Sequence, residues 1–154
     1  MRIRKILPLA LLAVGAVFML TSCAQILDAI FSSNTIQVTA KVLAPYYGTG
    51  SGQTVQFTLT RVSTGETTTG TSGTSGSVDS YGYVYYTFEF NKLANDTYTL
   101  TSAYSGPRLG FAGPWVTTAF YVDDSSGSTT PVSSVALPYT SGNATSVSLT
   151  TFFN

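Results

Sequence analysis

One cysteine, no histidine and seven carboxylates limit what this 154-residue chain can do chemically. The thiol, Cys23, stands in Leu20-Thr21-Ser22-Cys23, where an apolar run gives way to polar residues. A thiol in that place has four uses: nucleophile, half of a bond to another chain, small buried residue, or acceptor for a modification. The absence of histidine removes the commonest general base and the commonest metal ligand. No Ser–His or Cys–His pair is available for nucleophilic catalysis. The adjacent acids Asp123 and Asp124 would point to opposite faces of a strand, whereas a glycosidase needs two carboxylates across one cleft. "DDSSGS" and "DSYG" lack the fixed ligand spacing of a Ca2+ loop. The glycines at 48–52 and 65–76 are not followed by the Lys-Ser/Thr of a phosphate loop. The expectation is a protein that is no enzyme, with no catalytic residue, no metal and no cofactor. Beyond Lys5 there is no basic patch, so no nucleic-acid partner is expected.

The first residues explain the thiol. Arg2, Arg4 and Lys5 precede 15 residues without a charge, Ile6 to Leu20. This is the pattern of a secretory signal, and it is short for a membrane-spanning helix, which needs about 20 residues. Leu20-Thr21-Ser22-Cys23 resembles the lipobox of bacterial lipoproteins: an aliphatic residue, two small residues, then cysteine. The resemblance implies acylation of Cys23, palmitate among the acyl chains, and cleavage after Ser22. Two or three acyl chains give stable membrane attachment where one gives only a marginal hold. The expected division is a signal helix over residues 1–22, a lipidated Cys23 with a tether over 23–34, and a folded domain over 35–154. Within the tether, "ILDAIF" has room for no more than a turn of helix. The resemblance places the chain in the bacterial cell envelope. Ala24, in place of Asp, favours the outer membrane over the inner in a two-membrane organism. Once residues 1–22 are removed, Lys41, Arg61, Lys92 and Arg108 face seven acids, a formal charge of −3. With Cys23 acylated, no disulfide is available and the core must suffice.

The remaining chemistry is aromatic. The chain holds ten tyrosines and one tryptophan, while only 9% of residues are charged against about 25% in ordinary domains. Exposed Tyr and Trp offer a flat apolar face with a polar handle, which suits sugars, peptides and partner proteins. Tyr81, Tyr83, Tyr85 and Trp115 are the candidate ligand-binding residues, and a glycan or an envelope or surface protein is the candidate ligand. A second reading stands beside this one: tyrosine merely covers a charge-poor sheet. A third makes the domain an assembly component that pairs through its strand edges, and a hydrolase is the remaining alternative.

These side chains need elements to hold them, and the pattern is one of strands. Ile36, Val38, Ala40 and Val42 alternate with Gln37, Thr39 and Lys41, and Val55, Phe57 and Leu59 alternate with Gln56, Thr58 and Thr60. Arg61 to Ser77 is rich in turn residues, with room for a short strand around Glu66 to Thr71. Asp79 to Gly82 reads as a turn. Val84, Tyr86, Phe88 and Phe90 then share one face, with Tyr83, Tyr85, Thr87 and Glu89 on the other. "NKLAND" is the next turn. Tyr98, Leu100 and Tyr104 follow inward, while Tyr46, Tyr47 and Tyr139 fall in loops. Val116, Thr118, Phe120 and Val122 alternate as one strand, "VSSVALPY" is a weak strand, and Val147, Leu149 and Thr151 alternate in a final one. About seven strands at short spacing without a convincing helix predict an all-β domain, a single antiparallel β-sandwich, with a barrel as the alternative.

Residues 36–104 resemble the carboxypeptidase-regulatory-like, transthyretin-type sandwich. The resemblance is carried by Val55, Phe57, Leu59, Gly82, Tyr86, Phe88, Leu93, Tyr98 and Leu100. The family's Gly before Tyr-Thr is replaced here by Asp96-Thr97. The resemblance implies an extracytoplasmic adhesive or structural role and no active site. Related surface domains staple themselves with a Lys–Asn isopeptide bond assisted by an acid. Lys41, Glu89 and Asn143 or Asn154 have the right types and order, but alternation puts Lys41 and Glu89 on the face away from the core.

Overall fold

Alternating apolar and hydroxyl-bearing side chains make half-buried strands, and nine of these form in the described part of the chain. The computed structural model describes residues 34–44, 52–73, 77–106, 108, 115–123, 129–139 and 146–154. The signal segment with Leu20, Thr21, Ser22 and Cys23, the tether before Asn34, and Tyr46, Tyr47 and Asn143 lie outside the described residues. The strands are β1 (Asn34–Leu43), β2 (Thr54–Arg61), β3 (Thr67–Gly73), β4 (Tyr83–Leu93), β5 (Thr97–Ser105), β6 (Trp115–Thr117), β7 (Tyr121–Val122), β8 (Ser134–Ala136) and β9 (Ser146–Phe153). They build two sheets, ordered β4-β1-β9-β7 and β3-β2-β5-β6, with β8 also pairing β5. The sheets pack face to face, and no helix occurs among the described residues. The expected all-β sandwich is what forms.

The core lies between the sheets. Ile36, Val38, Ala40 and Val42 of β1 and Val147 and Leu149 of β9 face Val55, Phe57 and Leu59 of β2 and Leu100 and Tyr104 of β5, all buried. Tyr86 and Tyr104 meet edge to face from opposite sheets, with ring centroids 6.2 Å apart. Each large apolar side chain buried in this way contributes about 1.5–3 kcal/mol. Of the tyrosines expected inside, Tyr86, Tyr98 and Tyr104 are all buried.

Three expectations need correction. First, the sandwich is not purely antiparallel: β1 and β9 run parallel, in register from Thr35 opposite Ser146 to Val42 opposite Phe153. The last strand enters the sheet between β1 and β7, and side-chain alternation carries no information about strand direction. Second, Val116 to Val122 is not one strand. β6 pairs β5 and β7 pairs β9, so the chain changes sheets at Thr118 and Ala119. Phe120 is therefore fully buried while Val116 is 61% exposed, although both stand at even positions of the same pattern. The crossing is held by Thr151 Oγ1, which donates to the Ala119 carbonyl at 2.7 Å, and by the Ala119 N–H, which donates to Thr117 Oγ1. Third, the turn expected over "NKLAND" is shorter, because β4 continues through Leu93 with Lys92 in the left-handed region at φ 56°.

Candidate ligand-binding face

β1 gives the molecule a direction. Asn34 marks the pole where the chain enters the sandwich. Its buried side-chain amide donates to the Leu93 carbonyl at 3.1 Å and to Asn95 Oδ1 at 2.7 Å. Nine residues later Leu43 lies opposite Tyr83 at the other pole. At about 3.3 Å per residue the poles are roughly 30 Å apart.

The outer face of the β4-β1-β9-β7 sheet carries aromatic rings at the Leu43 pole. Register places Tyr85, Lys41 and Phe152 in one row across three strands. Phe152 is the hub. Tyr83 meets it edge to face at 5.9 Å, and Tyr121, from β7, does so at 5.6 Å. The Lys41 ammonium lies 5.5 Å from the centroids of both Tyr85 and Phe152. Such cation–π contacts are worth about 0.5–1 kcal/mol each at exposed sites. One ladder step toward the other pole, Thr87, Thr39 and Thr150 form a row of hydroxyls, with Thr39 and Thr87 Oγ1 atoms 3.1 Å apart. The next row is Glu89, Gln37 and Ser148.

A turn fixes the rim of this face. The Gly82 N–H donates to the Asp79 carbonyl, the Asp79 N–H donates to the Tyr83 carbonyl, and Gly82 takes φ 90°, a conformation that glycine adopts without strain. The Asp79 carboxylate accepts the N–H groups of Tyr81 and Tyr83 at 2.8 and 2.9 Å and the Tyr85 hydroxyl. The Tyr85 hydroxyl, followed by the Tyr83 amide, holds the Asp79 carboxyl below its ordinary pKa, and the same bond to Asp79 raises that of Tyr85. Tyr81, at the tip, is 81% exposed, and Val78 beside it is exposed as well.

Tyr81, Tyr83 and Tyr85 are thus gathered around one carboxylate. Trp115 is not on their face. It belongs to the other sheet, opposite Tyr104, and is half-buried with the Arg108 guanidinium 5.3 Å above its ring. The connection is indirect: Arg108 Nη2 donates to the main-chain oxygen of Asn154 at 2.7 Å, and the Tyr83 hydroxyl donates to Asn154 Oδ1 at 2.9 Å. The isopeptide trio does not assemble, because Lys41 pairs with Tyr85 and Glu89 with Gln37, four residues away along β1. Sequence reasoning missed Phe152, Tyr121 and the aromatic seat of Lys41. The outward parity of Phe152 was readable from Val147, Leu149 and Thr151, but its neighbours follow only from the β1–β9 pairing.

A second concavity of about 390 Å³ opens at the Asn34 pole, between the edges of β3 and β4, with Arg61, Glu66, Phe88, Lys92 and Tyr98 in its walls. Beside it Arg61 Nε meets Asp96 Oδ2 at 2.6 Å. Asp96 also accepts from the Ser63 hydroxyl and from the Thr97 amide. The Ser63 hydroxyl and then Arg61 hold its carboxyl below the ordinary range. The charges here are mixed and largely matched. Among the described residues no group of three or more Cys, Asp or Glu side chains gathers to hold a metal ion. Compared with known proteins the chain gives no match: no protein-family model fits it, and neither the curated proteins nor the solved structures include a similar one.

Proposed function

We propose that this chain is a lipid-anchored protein of the bacterial cell envelope, outer-membrane if the cell has two membranes, whose transthyretin-type sandwich recognises a glycan or a surface protein without catalysing a reaction. Anchoring rests on the basic start, the 15-residue apolar run and Leu20-Thr21-Ser22-Cys23. The recognition reading is carried by one observation: the aromatic face and the entry of the tether lie at opposite ends of β1. Asn34 is eleven residue steps from Cys23, a reach of roughly 36–40 Å at full extension. The attachment point thus joins the domain at the Asn34 pole, and Phe152, Tyr83, Tyr81 and Val78 lie at the end farther from it. Tyr81 and Val78 are exposed and Phe152 and Tyr83 half-buried, and aromatic rings so placed on a charge-poor domain suit a contact surface.

Two measurements test the proposal. Cys23→Ser should move the protein from the membrane to the soluble fraction and abolish incorporation of labelled palmitate; unchanged fractionation would sink the anchor. A panel of glycans and envelope proteins should yield a ligand whose capture is lost on Phe152→Ala or Tyr83→Ala with the melting temperature preserved. Capture indifferent to both variants would reject the face.

A second reading has its own support. β3, "TTTGTSG", is a seven-residue outer strand with neither charge nor proline, whereas the outer strands β6, β7 and β8 have two or three residues each. Edge strands left this plain are available for pairing with another chain. Co-purified envelope partners lost on Thr69→Pro, together with an inert aromatic face, would favour assembly.

A further inference from the structure

We propose that the aromatic face reads an acidic glycan, with Lys41 as the residue that binds its carboxylate. This rests on the recognition reading above and narrows it to one ligand class. Among the described residues no carboxylate lies within 4.0 Å of the Lys41 ammonium. Arg61, by contrast, meets Asp96 at 2.6 Å at the opposite pole. The Lys41 ammonium instead lies between the Tyr85 and Phe152 rings, 5.5 Å from each centroid. A lysine ammonium has three N–H donors, and ring faces satisfy none of them as a carboxylate would. Asp79, the acid at this pole, is turned to its own turn, where two amides and the Tyr85 hydroxyl occupy its oxygens.

The surroundings suit a sugar ring better than a peptide. The face is the outer surface of a sheet. The rings of Tyr83, Phe152 and Tyr121 offer apolar contact for the C–H face of a pyranose. Thr39 and Thr87 stand about 7 Å away along the strands, two residues on, and their paired hydroxyls, 3.1 Å apart, keep donor and acceptor capacity for ring hydroxyls, while Thr150 in the same row is buried and donates to Asp123 Oδ2 at 2.7 Å. A carboxylate on Lys41 then fixes which sugar the rings hold. In water such a charge-assisted bond adds specificity and weakens as salt rises.

The test uses the full chain in detergent. The probes are polygalacturonate, alginate and hyaluronan, their carboxyl-reduced counterparts, and polyglutamate as a polyanion without sugar. The expected result is binding of at least one polyuronate, weakened about tenfold or more by Lys41→Met and by carboxyl reduction, and restored by Lys41→Arg. Lys41→Met keeps the apolar stem over the rings, and its melting curve reports whether the sheet is intact. Equal binding of acid and reduced polymers, insensitive to Lys41→Met but lost on Phe152→Ala, would overturn the carboxylate site and leave the aromatic face standing. Insensitivity to Phe152→Ala as well would overturn the recognition reading itself. Polyglutamate binding as tightly as the polyuronates would make Lys41 a general anion site and overturn the glycan. Binding to no polyuronate would overturn the proposal outright.

Discussion

The ring of Phe88 on β4 lies directly against the backbone of Gly70 on β3, bridging the open edges of the two sheets. A Cβ added at Gly70 would overlap this ring. Gly70 is buried while Thr67, Thr68, Thr69 and Thr71 around it are exposed, so the strand is admitted to the sandwich by the one residue that leaves space for the ring. Gly70→Ala should lower stability by about 1–3 kcal/mol, the usual cost of overpacking. Phe88→Leu in the same chain should recover part of it. Urea unfolding midpoints read both, and an unchanged midpoint for Gly70→Ala would show that the ring is free to move aside.

The bond between Asp79 and Tyr85 predicts a stability window with two sides. Asp79 has a lowered pKa, so its contribution is complete above its unfolded value, about 4, and is lost as pH falls through the folded one. Tyr85 has a raised pKa, so its contribution is complete below its unfolded value, about 10, and is lost as pH rises through the folded one. Asp79→Asn should flatten the acid side and Tyr85→Phe the alkaline side. Melting temperature against pH checks this, and parallel curves for wild type and variants would refute it.

Asp96 joins Arg61, Ser63 and the Thr97 amide at the Asn34 pole. Both partners of the ion pair are partly exposed, so the pair alone is worth less than about 1 kcal/mol. Asp96→Ala removes three acceptor contacts together and should cost about 1–2 kcal/mol, whereas Arg61→Ala should cost less. A double-mutant cycle would show coupling below about 1 kcal/mol; a much larger value would mean that the pair is better shielded than its exposure implies.

Thr151 is fully buried, and its hydroxyl satisfies the Ala119 carbonyl where the chain changes sheets. Thr151→Val keeps the shape and strands that carbonyl, at a cost of about 1–3 kcal/mol. Thr151→Ser should retain most of the stability. Amide exchange at residues 118–122 should accelerate in the valine variant before the rest of the domain responds; uniform acceleration would argue against a local role.

Much of the fold is legible in local pattern. The faces of Val38, Phe57, Tyr86 and Leu149 follow from a period of two, and the turn at Asp79 follows from Asp-Ser-Tyr-Gly. Arg61–Ser77 leaves room for a strand around Glu66–Thr71, and the strand forms over Thr67–Gly73. Hydroxyl and glycine content reads as loop, and only the fit of Gly70 under Phe88 makes it a strand. The candidate site was half legible. Tyr83 and Tyr85 were named from parity, and Trp115 was grouped with them although it belongs to the other sheet.

The sequence by itself determined the inward faces of β1, β2, β5 and β9 and that the domain is all β, and it carries the segment ending at Cys23 that resembles a lipobox. These are local properties: alternation and short motifs act within a few residues. Tertiary structure alone decided that β9 lies parallel to β1, and hence that Phe152 joins Tyr83, Tyr85 and Tyr121 around Lys41. It also decided that the chain changes sheets at Ala119. Strand pairing is a contest among all the edges in the molecule, settled by packing in the shared core, and no window of sequence contains the competing partners.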